Sequence, residues 1–195
     1  MKSAALMSFV WFSAIVGTAQ SNDGPTDVVT KYCRLDQDGA QMRQGGWISL
    51  ARMFRPDPPL QPSLLKLFFL KFEVISGFVA GTAIRTTSDR AGVTVHYSTI
   101  GAVDSWALLF TKSAKDSEAT FALIMSPEHF DVGSDGNPEL IRGTNTWRIK
   151  GYPGIPHVSI DAAILYISAL RDDPTTLAEQ KERANKLIAA LRTFR

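Results

Sequence analysis

The chain has 195 residues, 45% of them apolar, and its 21 basic and 19 acidic side chains leave a net charge of +2. That balance argues against a nucleic-acid binder, which needs a strongly basic face, and against a disordered chain, which lacks apolar residues. Cys33 is the only cysteine, so no disulfide can form within the chain and packing alone must hold the core.

Lys2 precedes an apolar run from Ala4 to Val16, broken by Ser8 and Ser13 and followed by Gly17-Thr18-Ala19. A short positive start, an apolar stretch and small residues before the cut are the pattern of a secretory signal peptide. Cleavage is expected after Ala19, leaving Gln20 as the mature start, with Gln20 and Ser21 as the next choices. The run is shorter than the roughly 20 residues that span a bilayer, and no cysteine follows it to carry a lipid. The expectation is an exported protein, periplasmic or extracellular, with no stable membrane insertion after cleavage. Residues 1–19 are read as the signal peptide, 20–26 as a flexible start and 27–195 as one domain.

Thr26 or Asp27 is a suitable N-cap. Val28, Val29, Tyr32, Cys33, Asp36 and Ala40 then recur at helical spacing, which predicts a first helix over about 27–43. Asp36 falls inside the stripe meant for the core. An unpaired buried charge is costly, so this carboxylate needs a partner, water or a cavity. Cys33, in the same stripe, reads as a small core residue rather than a nucleophile. Gly45-Gly46 ends the helix. Trp47, Leu50, Ala51 and Phe54 predict a short second one, stopped by Pro56, Pro58, Pro59 and Pro62.

Leu67 to Thr87 reads as a long strand bent at Gly77 and Gly81. After a turn at 88–92, Val93, Val95, Tyr97 and Thr99 alternate with Thr94, His96 and Ser98 as in a half-exposed strand. Further strands are predicted at Trp106–Thr111, Thr120–Ser126 and Leu140–Lys150, with a loop at 131–138. Ser159 caps a helix with Ile160, Ile164, Ile167 and Leu170 on one face, ended by Asp172-Asp173-Pro174. Thr176 and Glu179 read as a capping box for a last helix striped by Leu177, Ala184, Leu187, Ile188, Leu191 and Phe194. Two helices, about five antiparallel strands and two more helices make an α+β domain.

Motifs that carry chemistry are sparse. Asp131, Asp135 and Gly136 match calcium-loop spacing, but Gly133 and Arg142 stand where ligands are needed, so the loop reads as an Asx-turn. Glu128, His129 and Asp131 lack a second ligand cluster, and His96, His129 and His157 are not at zinc spacing. No metal and no cofactor is expected. No nucleophile elbow or phosphate-binding glycine loop is present. His96 shares its strand face with Thr94 and Ser98 and reads as solvated; facing inward instead, it would pair with Asp36 as acid and base. Trp47, Trp106, Trp147, Tyr32 and Tyr97 read as core or pocket lining.

Four stretches carry a resemblance: VVTKYCRLDQDGAQM (28–42), FEVISGFVAG (72–81), VTVHYSTIG (93–101) and TWRIKGYPGIPHVSIDAAILYI (146–167). They look like stretches of exported bacterial members of the nuclear transport factor 2-like (SnoaL-like) superfamily. The resemblance covers most of the mature chain and lies in packing patterns rather than a catalytic signature. It implies N-terminal helices packed against a bent sheet that closes around them as a cone, an open end that holds a small apolar ligand, and a homodimer. For the enzymes of that superfamily it implies a carboxylate in the cone with Tyr or His partners; Asp36 and Tyr32 match by position. The two C-terminal helices depart from the simplest family pattern, in which the last strand ends the domain.

Three functions compete on this reading. The first is an exported, non-catalytic domain that binds a small apolar molecule or a protein partner, with Tyr32, Asp36, Trp47 and Tyr97 at the ligand. The second is an enzyme of isomerase, dehydratase or hydrolase type using Asp36 as general base, with Tyr32 or His96 as its partner. The third is a structural dimer module of the cell envelope.

Overall fold

Pro25 opens the first helix, where its missing N–H has no helical partner to lose. Asp27 reaches back to accept from the Gly24 N–H at 2.9 Å. Helix α1 therefore spans Pro25–Gln37, and residues 25 and 26 belong to it rather than to a flexible start. Thr26 acts as a tie instead of a cap: its hydroxyl donates to the Gly81 carbonyl and accepts from the Ala83 N–H. Gly39, at φ 75°, ends the helix ahead of Gly45, and a single 3-10 turn, Ala40–Met42, follows. The computed structural model describes residues 23–43, 46–55, 71–113, 115–132, 138–151 and 154–195. The expected signal peptide, its cut between Ala19 and Gln20, and the proline loop at 56–62 lie outside the described residues.

The remaining elements are α2 (Gly46–Ala51), β1 (Phe54–Arg55), β2 (Lys71–Ala80), β3 (Ile84–Thr87), β4 (Arg90–Asp104), β5 (Leu109–Lys112), β6 (Ser117–Val132), β7 (Pro138–Lys150), β8 (His157–Ser159), α3 (Ile160–Asp172) and α4 (Ala178–Arg192). The strands form one open mixed sheet in the order β1-β7-β6-β4-β2-β8, with β3 and β5 also paired to β4. The class is α+β, but in place of the expected five antiparallel strands the described residues form eight. The pairs β1–β7 and β2–β8 are parallel. These two edge strands are too short to show a period of two, and Phe54 belongs to β1 rather than to a helix stripe. Trp106 lies in a turn, 82% exposed, where Asp104 Oδ1 accepts the Ala107 N–H at 2.9 Å and Leu108 takes a positive φ. The strand predicted there begins only at Leu109. Among the described residues no helix is long and apolar enough to cross a membrane.

Two cores use opposite faces of the sheet. Val28, Val29, Tyr32 and Cys33 of α1 pack on Val93, Val95 and Tyr97 of β4, Phe121 of β6 and Ile149 of β7. Phe72 and Val74 of β2, Val103 of β4 and Val158 of β8 pack instead on Ile167, Leu187 and Leu191 of the two last helices. Val74 and Ile75 are consecutive and both buried, one in each core. Successive side chains point to opposite faces of a strand, so β2 serves both cores at once. The register with β4 slips on each side of Ile75, and such a bulge re-aims the strand that carries it. Gly101 sits beside this slip. A Cβ there would lie 2.5 Å from the Thr111 carbonyl oxygen and 2.6 Å from the Phe110 ring. Gly101→Val is expected to cost roughly 1–3 kcal/mol by overpacking, read by urea unfolding; an unchanged midpoint would contradict this contact.

Ser159 caps α3, accepting the Ala162 N–H at 3.2 Å. The box on α4 is shifted by one residue from the expected Thr176–Glu179: Gln180 reaches back to the Leu177 N–H at 3.1 Å, while the Thr176 hydroxyl donates to the Leu170 carbonyl at 2.7 Å.

Candidate functional site

Asp36 stands in the last turn of α1, on the face that carries Tyr32 and Cys33 into the core, and is only 1% exposed. Both of its oxygens accept. Gln41, from the 3-10 turn, donates Nε2 to Oδ1 at 2.7 Å, and the backbone N–H of His157 donates to Oδ2 at 2.9 Å. The same Gln41 amide donates to the Tyr32 hydroxyl at 2.8 Å. Burial lifts the Asp36 carboxyl above its ordinary range, and the bonds from His157 and Gln41 oppose that lift.

The partner of Asp36 is thus His157 and not His96. His96 is 62% exposed on β4 and pairs with Glu118 at 3.0 Å, because alternation turns it away while Val95 and Tyr97 face the core. His157 begins β8, and the parallel register sets it directly beside Glu73 of β2. Its Nδ1 lies 3.8 Å from Asp36 Oδ2 and its Nε2 3.5 Å from Glu73 Oε2. Its ring lies flat on Tyr97, centroids 3.8 Å apart and planes within 7°. Glu73 in turn accepts from the Ser117 hydroxyl at 2.7 Å and the Thr99 hydroxyl at 3.3 Å. A carboxylate therefore faces each ring nitrogen, and a tyrosine face fixes the ring plane.

Beneath the ring, Tyr97 Oη and Cys33 Sγ are 3.4 Å apart. Burial pushes the Tyr97 phenol far above its ordinary range and the Cys33 thiol up to about 12. The thiolate is the reactive form, so Cys33 is an inert core group. Thiol reagents at pH 8 are expected to leave it unmodified in the folded protein and to label it only on unfolding; rapid labelling of the native state would overturn this.

Next to His157 lies a cleft of about 250 Å³, lined by Tyr32, Ala119, Phe121, Ile149, Gly154 and His157 together with Thr120, Ala122 and Lys150. Among the described residues β7 pairs with β6 only as far as Leu123 and Ile149, and the cleft lies beyond that rung. Of the sequence-derived ligand residues, Tyr32 lines this cleft. Asp36 and Tyr97 support it from behind His157, and Trp47 lies in α2 with its side chain outside the described residues. His157 and Glu73 are the residues that sequence reasoning passed over. Among the described residues no group of three or more His, Cys, Asp or Glu side chains is placed to hold a metal ion.

The arrangement is a relay of Gln41, Asp36, His157 and Glu73 whose polar atoms face one another rather than the cleft. What it offers the cleft is a rigid ring edge. Compared with protein-family models, with curated proteins and with solved structures, the chain has no match.

Proposed function

We propose that this chain is an exported, non-catalytic domain that holds a small, largely apolar molecule in the cleft beside His157. The observation that carries the reading is the cleft itself: apolar walls from Tyr32, Phe121 and Ile149, with polar groups at His157, Thr120 and Lys150. Ligand sites are mostly apolar with a few placed polar groups. A volume of about 250 Å³ exceeds the roughly 150 Å³ cavity that accepts benzene. A general base needs a lone pair within reach of substrate. Asp36 is sealed with both oxygens occupied, and each nitrogen of His157 faces a carboxylate, which favours binding over catalysis. The likeness to the nuclear transport factor 2-like superfamily belongs to the same proposal. Its support is α1 laid across one face of long, bulged antiparallel strands with a cleft at its side.

Native mass spectrometry of the exported protein, purified without detergent, tests the reading. The expected result is extra mass that is lost on denaturation and absent from Ala119→Phe, which fills the cleft. A bare chain, or the same extra mass on Ala119→Phe, would overturn it.

A further inference from the structure

We infer that a second site, apart from the cleft, lies between the β4–β5 turn and the start of α4, and that it takes an uncharged sugar ring. Its groove, of about 440 Å³, shares no lining residue with the cleft and falls in the size range of small-molecule sites. One wall is Trp106, which is 82% exposed. A single exposed aromatic is ordinary on a protein surface, but this one is rigidly carried beside a groove. Asp104 pairs with Leu109 across the hairpin, Asp104 Oδ1 accepts the Ala107 N–H, and Leu108 holds a positive φ.

The other wall is polar and also held in place. Asp173 Oδ1 accepts both the backbone N–H and the hydroxyl of Thr175, at 2.8 and 2.5 Å. Gln180 Oε1 accepts the Leu177 N–H at 3.1 Å. Each bond uses one end of a planar group and fixes the other. Among the described residues Asp173 Oδ2 and Gln180 Nε2 meet no partner, so an acceptor and a donor remain on side chains that line the groove.

Charge decides the class of occupant. Arg171 grips Asp172 and Arg183 pairs with Glu179, while Lys181 acts on Asp173. The cations Arg171, Lys181 and Arg183 are thus balanced by Asp172, Asp173 and Glu179, and neither an anion nor a cation gains from entering. What the groove offers is an aromatic face, the apolar Leu170 and Ala184, and fixed hydrogen-bonding groups. A pyranose ring matches that set. Its C–H face can lie on the indole, whose large apolar surface has a polar tip. Its hydroxyls both donate and accept, so they can meet Asp173 and Gln180 together.

The probes are the methyl glycosides of glucose, galactose and N-acetylglucosamine, each titrated to millimolar concentration into the 15N-labelled protein. At least one is expected to move the Trp106 indole signal, identified by its loss in Trp106→Ala, together with the Thr175 and Gln180 amides. The response should persist in about 0.5 M salt, since no charge is engaged. Trp106 is exposed, so Trp106→Ala is expected to fold as the wild type does and to bind the same glycoside about five- to ten-fold more weakly, the scale of one aromatic contact. Silence at Trp106 towards all of the glycosides, or undiminished affinity in Trp106→Ala, would overturn the sugar site. A response to choline or to a blocked hexaproline with none to the glycosides would overturn it as well, giving the groove to a cation or to a peptide. The cleft is tested separately, by the extra mass lost on denaturation, so the two readings can fail independently.

Discussion

Asp36→Ala is expected to lower the free energy of unfolding by about 3–5 kcal/mol, enough to consume much of the margin of a domain this size. The substitution leaves the Gln41 amide and the His157 backbone N–H without their acceptor in a region sealed from water. Each orphaned donor costs about 1–3 kcal/mol. Urea unfolding followed by tryptophan fluorescence measures the loss, and a change below about 1 kcal/mol would mean that the relay does not hold α1 to β8. The pH dependence has a defined sign. Burial raises the Asp36 carboxyl in the folded chain, so the folded state retains a proton that the unfolded state releases from about pH 4 upward. The contribution of this proton to stability is full below that pH. It declines as pH rises towards the raised value and is lost once pH passes through it. The stability difference between the wild-type chain and Asp36→Asn should therefore shrink as pH rises across that window. A difference that grows would show that the hydrogen bonds outweigh burial.

Leu191→Ala is expected to cost about 2–5 kcal/mol, the range for deleting a large aliphatic side chain from a core that relaxes only in part. Leu191 is fully buried on α4 with Leu187 and Ile188, against Phe72 and Val74 of β2 and Ile167 of α3. Two turns of the same helix supply the comparison. The Lys186–Glu182 pair is exposed, at 74% and 66% of its side-chain area, and such pairs are worth little once water screens them. Lys186→Ala should leave the thermal midpoint unchanged while Leu191→Ala lowers it by many degrees. Equal shifts would place the hold of α4 in its charges rather than in its apolar stripe.

The sequence reading reached those elements whose own residues repeat. The α1 stripe, the alternation of β4 and the apolar faces of α3 and α4 were all visible, and so was the anomaly of a carboxylate in the α1 stripe. The strands β1 and β8 were not, because Phe54–Arg55 and His157–Ser159 are shorter than the pattern that reveals a strand. Missing β8 meant missing the partner of Asp36. A local signal for it does exist. Glu73 lies between Phe72 and Val74, so it is a second carboxylate in apolar surroundings, and His157 is the histidine flanked by Ile155-Pro156 and Val158. His96, between Val95 and Tyr97, sits where alternation expels it. The bulge at Ile75 was equally hidden, since nothing in β2 alone shows that β4 slips beside it. Of the two readings of Trp106, core or pocket lining, the core one does not hold: it stands exposed in a turn and lines an open groove with Leu108, Leu170 and Ala184.

The bond from the His157 N–H to Asp36 joins residues 121 positions apart, which makes it an event in time as well as in space. Closing a contact of such separation costs chain entropy, and topologies rich in such contacts fold slowly. A chain still emerging, with α1 made and β8 not yet made, holds a helix whose buried face is interrupted by a bare carboxylate. That charge penalises any early collapse of the stripe onto the wrong strand. Only when the His157 N–H reaches Asp36 is part of that penalty offset, so Asp36 is expected to favour the docking of α1 after β8 is in place.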